Sequence, residues 1–324
     1  MTTPTKARFV AFLATVLVSM GLSLDAMAAK RIVFGGGPAG GTFQVVANAI
    51  QVYDEIKNNK EFTVKAQSSA GSVENLRKVD ANKMQMGVVY SGHVYMARNG
   101  QLKNDAKKYT NVMAVSYLYG APAQLIVRKG SGIKSTKDLI GKKVGVGNAG
   151  SGAFANCELF FTHMGIWDKI ERNAMGYDDA ANAFGNKQLD AFWLFTGFPS
   201  GAVIMAAQTN DIDLVDLGKD AEESGFLKKY PYFAKLAVPA NTYNGVDHET
   251  QSFQDSALWV ASAKVPADVV YKMLKAIYSE KGLAHMVGQK KTFKEMTVKT
   301  GTNGIVTPLH PGAKKFWKEM GVIK

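Results

Sequence analysis

Cysteine is nearly missing from this chain: Cys157 is the only one in 324 residues. No intrachain disulfide can form, so the fold must hold together by packing alone. Cys157 sits in the apolar stretch Phe154-Ala155-Asn156-Cys157-Glu158-Leu159-Phe160-Phe161, where a buried core role is expected ahead of a nucleophilic one. Histidine is sparse too. His93, His163, His248, His285 and His310 are far apart, with no H-x-x-x-H or H-E-x-x-H spacing, so no metal site is indicated. There is no P-loop, and Gly150-Ser151-Gly152 is not the G-x-S-x-G of a nucleophile elbow. With no nucleophile–base set, no enzyme activity and no cofactor are expected. Long Lys/Arg blocks with interleaved aromatics are absent as well, which argues against nucleic acid as a partner. No internal repeat, low-complexity tract or proline-rich linker interrupts the chain.

What is present starts with an ordered N-terminus. Lys6 and Arg8 precede the apolar run Phe9 to Leu24, and Ala26-Met27-Ala28 supplies an A-x-A pattern. Basic, apolar and small segments in that order predict a secretory signal peptide over residues 1–28, cleaved after Ala28. The apolar run is short of the ~20 residues that span a bilayer, and no second one follows. A periplasmic location is therefore expected. The remaining 296 residues suffice for two lobes. The net charge of +12 falls to +11 without the first 28 residues, and the lysines are dispersed. A diffuse positive field of this kind helps to collect small anions and weakens with salt.

Strands and helices alternate along the chain, which predicts an α/β fold with a largely parallel sheet. Lys30 to Phe34 reads as a strand, followed by a glycine-rich loop and a helix carrying Phe43, Val46, Ile50 and Tyr53 on one face. Asn111–Leu118 and Gln124–Arg128 read as two strands, the second crossing out of the first lobe. Leu236–Tyr243 reads as the return. The expected lobes are 29–122 with 244–324, and 123–243. Gly35 to Thr42, Ala149 to Ala153 and Gly197 to Gly201 are glycine-containing loops that lead into helices, and Ser72 and Ser91 open two more. Helix starts carry unpaired N–H groups and the positive end of the dipole, which suits carboxylate, sulfonate or phosphate. Any one such start is more simply a plain cap; recurrence in both halves points to an anion cradle in the cleft between lobes. Gly35-Gly36-Gly37-Pro38-Ala39-Gly40 also fits G-x-G-x-x-G literally. Pro38 within the loop and the lack of an acidic partner on the second strand argue against a dinucleotide.

Several segments together resemble the TAXI family, substrate-binding subunits of one class of tripartite ATP-independent periplasmic (TRAP) transporters. They are Gly36-Gly37-Pro38-Ala39-Gly40-Gly41-Thr42-Phe43, Gly71-Ser72-Val73-Glu74-Asn75-Leu76, Asp138-Leu139-Ile140-Gly141-Lys142-Lys143-Val144, Gly150-Ser151-Gly152, Leu189-Asp190-Ala191-Phe192 with Gly197-Phe198-Pro199, and Leu309-His310-Pro311-Gly312-Ala313. The resemblance implies a type II periplasmic-binding-protein fold, two lobes joined by crossing hinge strands. It implies a small anionic solute, of the glutamate-like or 2-oxo-dicarboxylate kind, and delivery to the membrane permease subunits of a TRAP transporter; a monomer is expected. By the same likeness the ligand contacts are Thr42, Phe43, Ser72, Val73, Asn75, Tyr90, Ser151, Gly152, Ala153, Gly197, Phe198 and Pro199. The chain departs from the family at Phe43 for Tyr, at Ala153 for Thr, and at Gly120-Ala121 where an acidic residue is expected. Those losses favour an oxo-, hydroxy- or other organic acid over an amino acid. Other readings remain open: a binding protein of an ATP-driven importer of the sulfonate or nitrate type, a ligand-presenting sensory receptor, or an exported hydrolase.

Overall fold

The computed structural model describes residues 29–324, so the expected signal peptide lies outside the described residues. In chain order the elements are β1 (Lys30–Gly35), α1 (Thr42–Val52), α2 (Asp54–Lys57), β2 (Phe62–Gln67), α3 (Ser72–Asp80), β3 (Met86–Tyr90), α4 (Ser91–Asn99) and β4 (Val112–Arg128). They continue with β5 (Lys143–Gly145), α5 (Gly152–His163), β6 (Glu171–Asn173), α6 (Tyr177–Gly185), β7 (Ala191–Phe195), α7 (Gly201–Thr209), β8 (Ile212–Leu214), α8 (Leu217–Glu223) and α9 (Phe226–Lys229). The chain closes with β9 (Ala234–Val238), β10 (Thr250–Ser262), α10 (Ala267–Ile277), α11 (Glu280–Gln289) and α12 (Pro311–Glu319).

Strand order is β2-β1-β3-β10-β4-β7-β5-β6, with β8 on β4 and β9 on β10. The β1/β2, β1/β3, β5/β6 and β5/β7 pairs are parallel, as the strand–helix alternation predicts. The strands at the centre pair antiparallel. β4 is one strand of 17 residues, which spans about 55 Å, and not the two strands read from the sequence. Its early residues pair with β10 as far as Pro122↔Gln254, and from Ala123↔Phe195 onward it pairs with β7. Glycine and proline at 120–122 suggest a break in a strand. Here Pro122, which has no N–H to donate, falls where the strand changes partner.

The return crossing is β10, not Leu236–Tyr243. Its first half pairs with β9 and its second half with β3. Phe253 of β10 packs 4.8 Å from Phe160 of α5 (ring centroids).

Each lobe buries its own apolar face. α10 shows the pattern: Val269, Val270, Met273, Leu274 and Ile277 are buried, while Asp268 and Lys275 occupy its first and last turns. Burying each such aliphatic side chain contributes about 1.5–3 kcal/mol. The second lobe is knit by aromatics, with Phe226 against Phe160, Phe233 and Phe253 at 4.9–5.1 Å. Cys157 belongs to this core, fully buried, and burial pushes its thiol well above the usual range. Among the described residues no helix is long and apolar enough to cross a membrane.

Candidate functional site

Three helix starts meet where the lobes face each other. α1 and α3 come from the first lobe and α5 from the second. Their N-caps are Gly41, Gly71 and Ser151, and neither α1 nor α3 has a side-chain cap. Gly71 has φ 119°, a conformation open to glycine and strained for other residues. Ser151 Oγ accepts the Phe154 amide at 2.9 Å, which leaves its hydroxyl hydrogen free. Approach is close: a Cβ on Gly71 would lie 3.7 Å from Ser151 Cβ. The first-turn amides of these helices have no intrahelical acceptor, so three positive helix ends face one point.

That point is a small cavity of about 20 Å³, lined in part by Pro38, Gly41, Ala70 and Gly71. Thr42, Phe43, Ser72, Tyr90, Ser151, Gly152 and Ala153, all expected contacts, also line it. Tyr177, Phe195 and Thr196 complete the wall, and no lining residue is charged. Phe43 packs against Tyr90 with the rings tilted, centroids 4.8 Å apart, and Phe195 meets Tyr90 edge-on at 5.1 Å. Burial pushes the Tyr90 phenol well above its ordinary value, so it acts as a neutral donor.

The lobes are tied around this cavity. The Thr42 amide donates to Thr196 Oγ1 at 3.3 Å, Thr196 Oγ1 to Thr42 Oγ1 at 3.0 Å, and Thr42 Oγ1 to the Gly197 carbonyl at 3.4 Å. Tyr90 Oη donates to the Phe195 carbonyl, which also receives Tyr177 Oη at 3.0 Å.

Five expected contacts lie outside the lining. Val73 is buried in α3. Asn75 Nδ2 donates to the carbonyls of Gly36 (2.7 Å) and Val88 (2.9 Å), so this side chain ties the β1–α1 loop to β3. Gly197 touches the site only through its carbonyl bond to Thr42. Phe198 and Pro199 face a separate cavity beside Lys291, Thr292 and Glu295. There Thr292 Oγ1 donates to the Phe198 carbonyl at 2.7 Å and Lys290 Nζ to that of Pro199. Near Gly120, the carboxylate is that of Glu295, which accepts the Gly120 amide at 2.9 Å and the Tyr117 hydroxyl.

Sequence reading passed over Tyr177 and Thr196 as cavity walls. Thr196 directly precedes Gly197, and Tyr177 opens α6 after Gly176, the same loop-to-helix signal used elsewhere. Pro38, Ala70 and Tyr177 form a mouth shared with a larger compartment of about 440 Å³. Asp178 and Asp179 stand at this mouth. Burial, then the neighbouring Asp179 charge, raises the Asp178 pKa. Among the described residues, no cluster of His, Cys, Asp and Glu is placed to hold a metal ion.

The NMT1-like family matches residues 34–321 of this chain. Among solved structures, MatC from Rhodopseudomonas palustris with bound malate superposes with a TM-score of 0.53 at 13% identity, covering 91% of this chain and 97% of that one. A protein from Bordetella bronchiseptica RB50 gives 0.51 at 16% identity over 91% and 89%. The periplasmic aliphatic sulphonate binding protein SsuA from Escherichia coli gives 0.44 at 14% identity over 90% and 83%. The fold is the two-lobed, type II periplasmic-binding-protein fold, with β4 and β10 as the strands that cross between lobes.

Proposed function

This chain belongs to the NMT1-like family, and we propose that it is an exported solute-binding receptor that holds a small organic anion between its lobes and delivers it to a membrane transporter. The observation that carries this reading is the meeting of three helix starts, from both lobes, on one cavity with no charged side chain. An anionic head there gains charge-assisted bonds from backbone N–H groups and from the hydroxyls of Ser72 and Ser151. Only the closed arrangement supplies donors from both lobes, so the ligand favours closure by its differential affinity. No bond of the ligand is made or broken. Thr42, Phe43, Tyr90, Gly152 and Ala153 shape the pocket, while Val73, Asn75, Gly197, Phe198 and Pro199 hold the loops that frame it.

Asp178 and Asp179 at the mouth repel a second carboxylate and tolerate a neutral or cationic tail. This refines the ligand toward one anionic end. The TAXI-like segments support a TRAP permease as the partner. The test is a thermal-shift screen with malate, 2-oxoglutarate, glutamate and taurine, followed by calorimetry. A ligand that binds only the folded state raises the melting temperature. Absence of any shift across these acids and related monoanions would sink the reading. Uptake of the bound acid in vesicles carrying a TRAP permease, without ATP, tests the partner; strict ATP dependence would assign the receptor to an ATP-driven importer.

A further inference from the structure

A second space between the lobes lies where α4 of the first faces α5 of the second. Its inner part is a cavity of about 240 Å³, with apolar walls at Met96, Leu102, Ala155 and Leu159. At Met96, Gln101 and Leu159 it meets an outer groove of about 670 Å³, lined in part by Tyr95, Tyr230, Pro231 and Tyr232. The tyrosines form a cluster, with the Tyr232 ring 6.4 Å from that of Tyr95 and 6.2 Å from that of Tyr230. Tyr95 and Val306 stay exposed there. A concave, largely apolar space of this size with few polar groups has the form of a small-molecule site.

Two of those polar groups stand in the inner wall. His93 and Asn156 are each 1% exposed. His93 Nδ1 is engaged, 2.9 Å from Ser72 Oγ, and its Nε2 has no partner. Asn156 Nδ2 has none either. Buried polar groups left in this way are costly, so a guest that satisfies them is favoured. The charged side chains of the inner wall are already matched: Lys103 Nζ, from the first lobe, lies 2.6 Å from Glu158 Oε1, from the second. Burial keeps the imidazole neutral as well, with its pKa pushed down to about 4. An anion finds no free cation in this cavity, and a cation no free carboxylate.

The inner end therefore suits an uncharged group. A hydroxyl fits best, because it both donates and accepts; it serves either tautomer of the ring and either orientation of the amide. One water could do the same, but the cavity is several times larger than one water fills. Its aliphatic walls and the tyrosines beyond suit a flat apolar body.

We propose that the space between α4 and α5 is a second binding site, for a small uncharged aromatic alcohol of the phenol kind, with its hydroxyl at His93 Nε2 and Asn156 and its ring toward Met96, Leu159 and the tyrosines. Both lobes furnish the walls, so a guest here favours the closed form from a position separate from the anion cleft. The two sites are read from different residues, and the failure of one leaves the other standing.

Calorimetric titration of the purified protein with 4-ethylphenol, beside a crystal soak, tests this. One molecule should bind, with its density between α4 and α5. Ethylbenzene, which lacks the hydroxyl, should bind about fivefold more weakly or worse, the loss of one hydrogen bond. Leu159→Trp fills the inner cavity and should abolish binding of 4-ethylphenol. Met96→Trp fills it from the facing helix and serves where the first variant does not fold. Binding in the soaked crystal only, ordered water alone in the cavity, equal affinity for ethylbenzene, or binding that survives in a folded filling variant overturns the proposal.

Discussion

The hydroxyl of Tyr90, at the end of β3, donates to the carbonyl of Phe195, at the end of β7, and so bolts one lobe to the other. The same carbonyl keeps a bond from Tyr177 within its own lobe. Removing the Tyr90 hydroxyl therefore strands no buried acceptor. Tyr90→Phe should weaken the closed form by about 1 kcal/mol, lowering ligand affinity about fivefold. The denaturation midpoint should stay close to wild type. Calorimetry and small-angle scattering check both halves, and an unchanged affinity would remove this bond from the closure mechanism.

Gly152 is a second contact between lobes, and a tighter one. A Cβ built there would lie 2.6 Å from Ser72 Cβ and 2.7 Å from Tyr90 Cδ2. Such overpacking costs about 1–3 kcal/mol, and the lobes can relieve it by parting. Gly152→Ala should keep its fold and lose affinity about tenfold or more. A crystal structure with ligand showing the lobes at wild-type separation would contradict this.

Ser151 has two tasks. Its Oγ caps α5 by accepting the Phe154 amide at 2.9 Å, and its hydroxyl hydrogen remains available to the cavity. Ser151→Ala should lower stability by about 1 kcal/mol through loss of the cap and weaken binding as well. Ser151→Gly should keep more of the stability, because glycine is a tolerable cap, yet bind as poorly as the alanine variant. Paired urea melts and calorimetry separate the effects; wild-type affinity in both variants would exclude the hydroxyl from the site.

His93 sets an acid limit on stability. Its pKa falls from the ordinary 6.5 to about 4 because burial opposes the charged ring. The unfolded chain takes up a proton that the folded chain refuses. Its contribution is thus complete above about pH 6.5 and is lost as pH falls toward about 4, amounting to about 3 kcal/mol. Burial lowers the His310 pKa too, so it acts in the same direction. His93→Gln should flatten the decline between about pH 6.5 and 4, measured as urea midpoints across that range. An unaltered slope would show that His93 is not the group responsible.

Much of this site was legible because a helix start is a local matter. A strand, a glycine loop and a Ser or Thr ahead of an apolar period mark Thr42, Ser72 and Ser151 without knowledge of the rest of the chain. What was not legible depends on distance. Thr196 meets Thr42 only because β4 delivers β7 to the same edge. Tyr177 and Tyr90 share the Phe195 carbonyl from different lobes. Phe198 and Pro199 sit in a promising loop, yet Thr292 and Lys290, far along the chain, hold their carbonyls. The single long strand β4 was obscured for a related reason: Gly120 and Pro122 look like a break until the change of partner is seen.

Because β10 lies between β3 and β4, the first lobe is not a continuous stretch of chain. Val88 has to wait for Trp259, and Met113 for Ala261. The first lobe cannot complete its sheet while the chain is still being made, and pairings this remote in sequence form slowly. For the export that the sequence of residues 1–28 predicts, that delay would be useful. The interleaving that makes the hinge also keeps the newly made chain pliable until its last third has emerged.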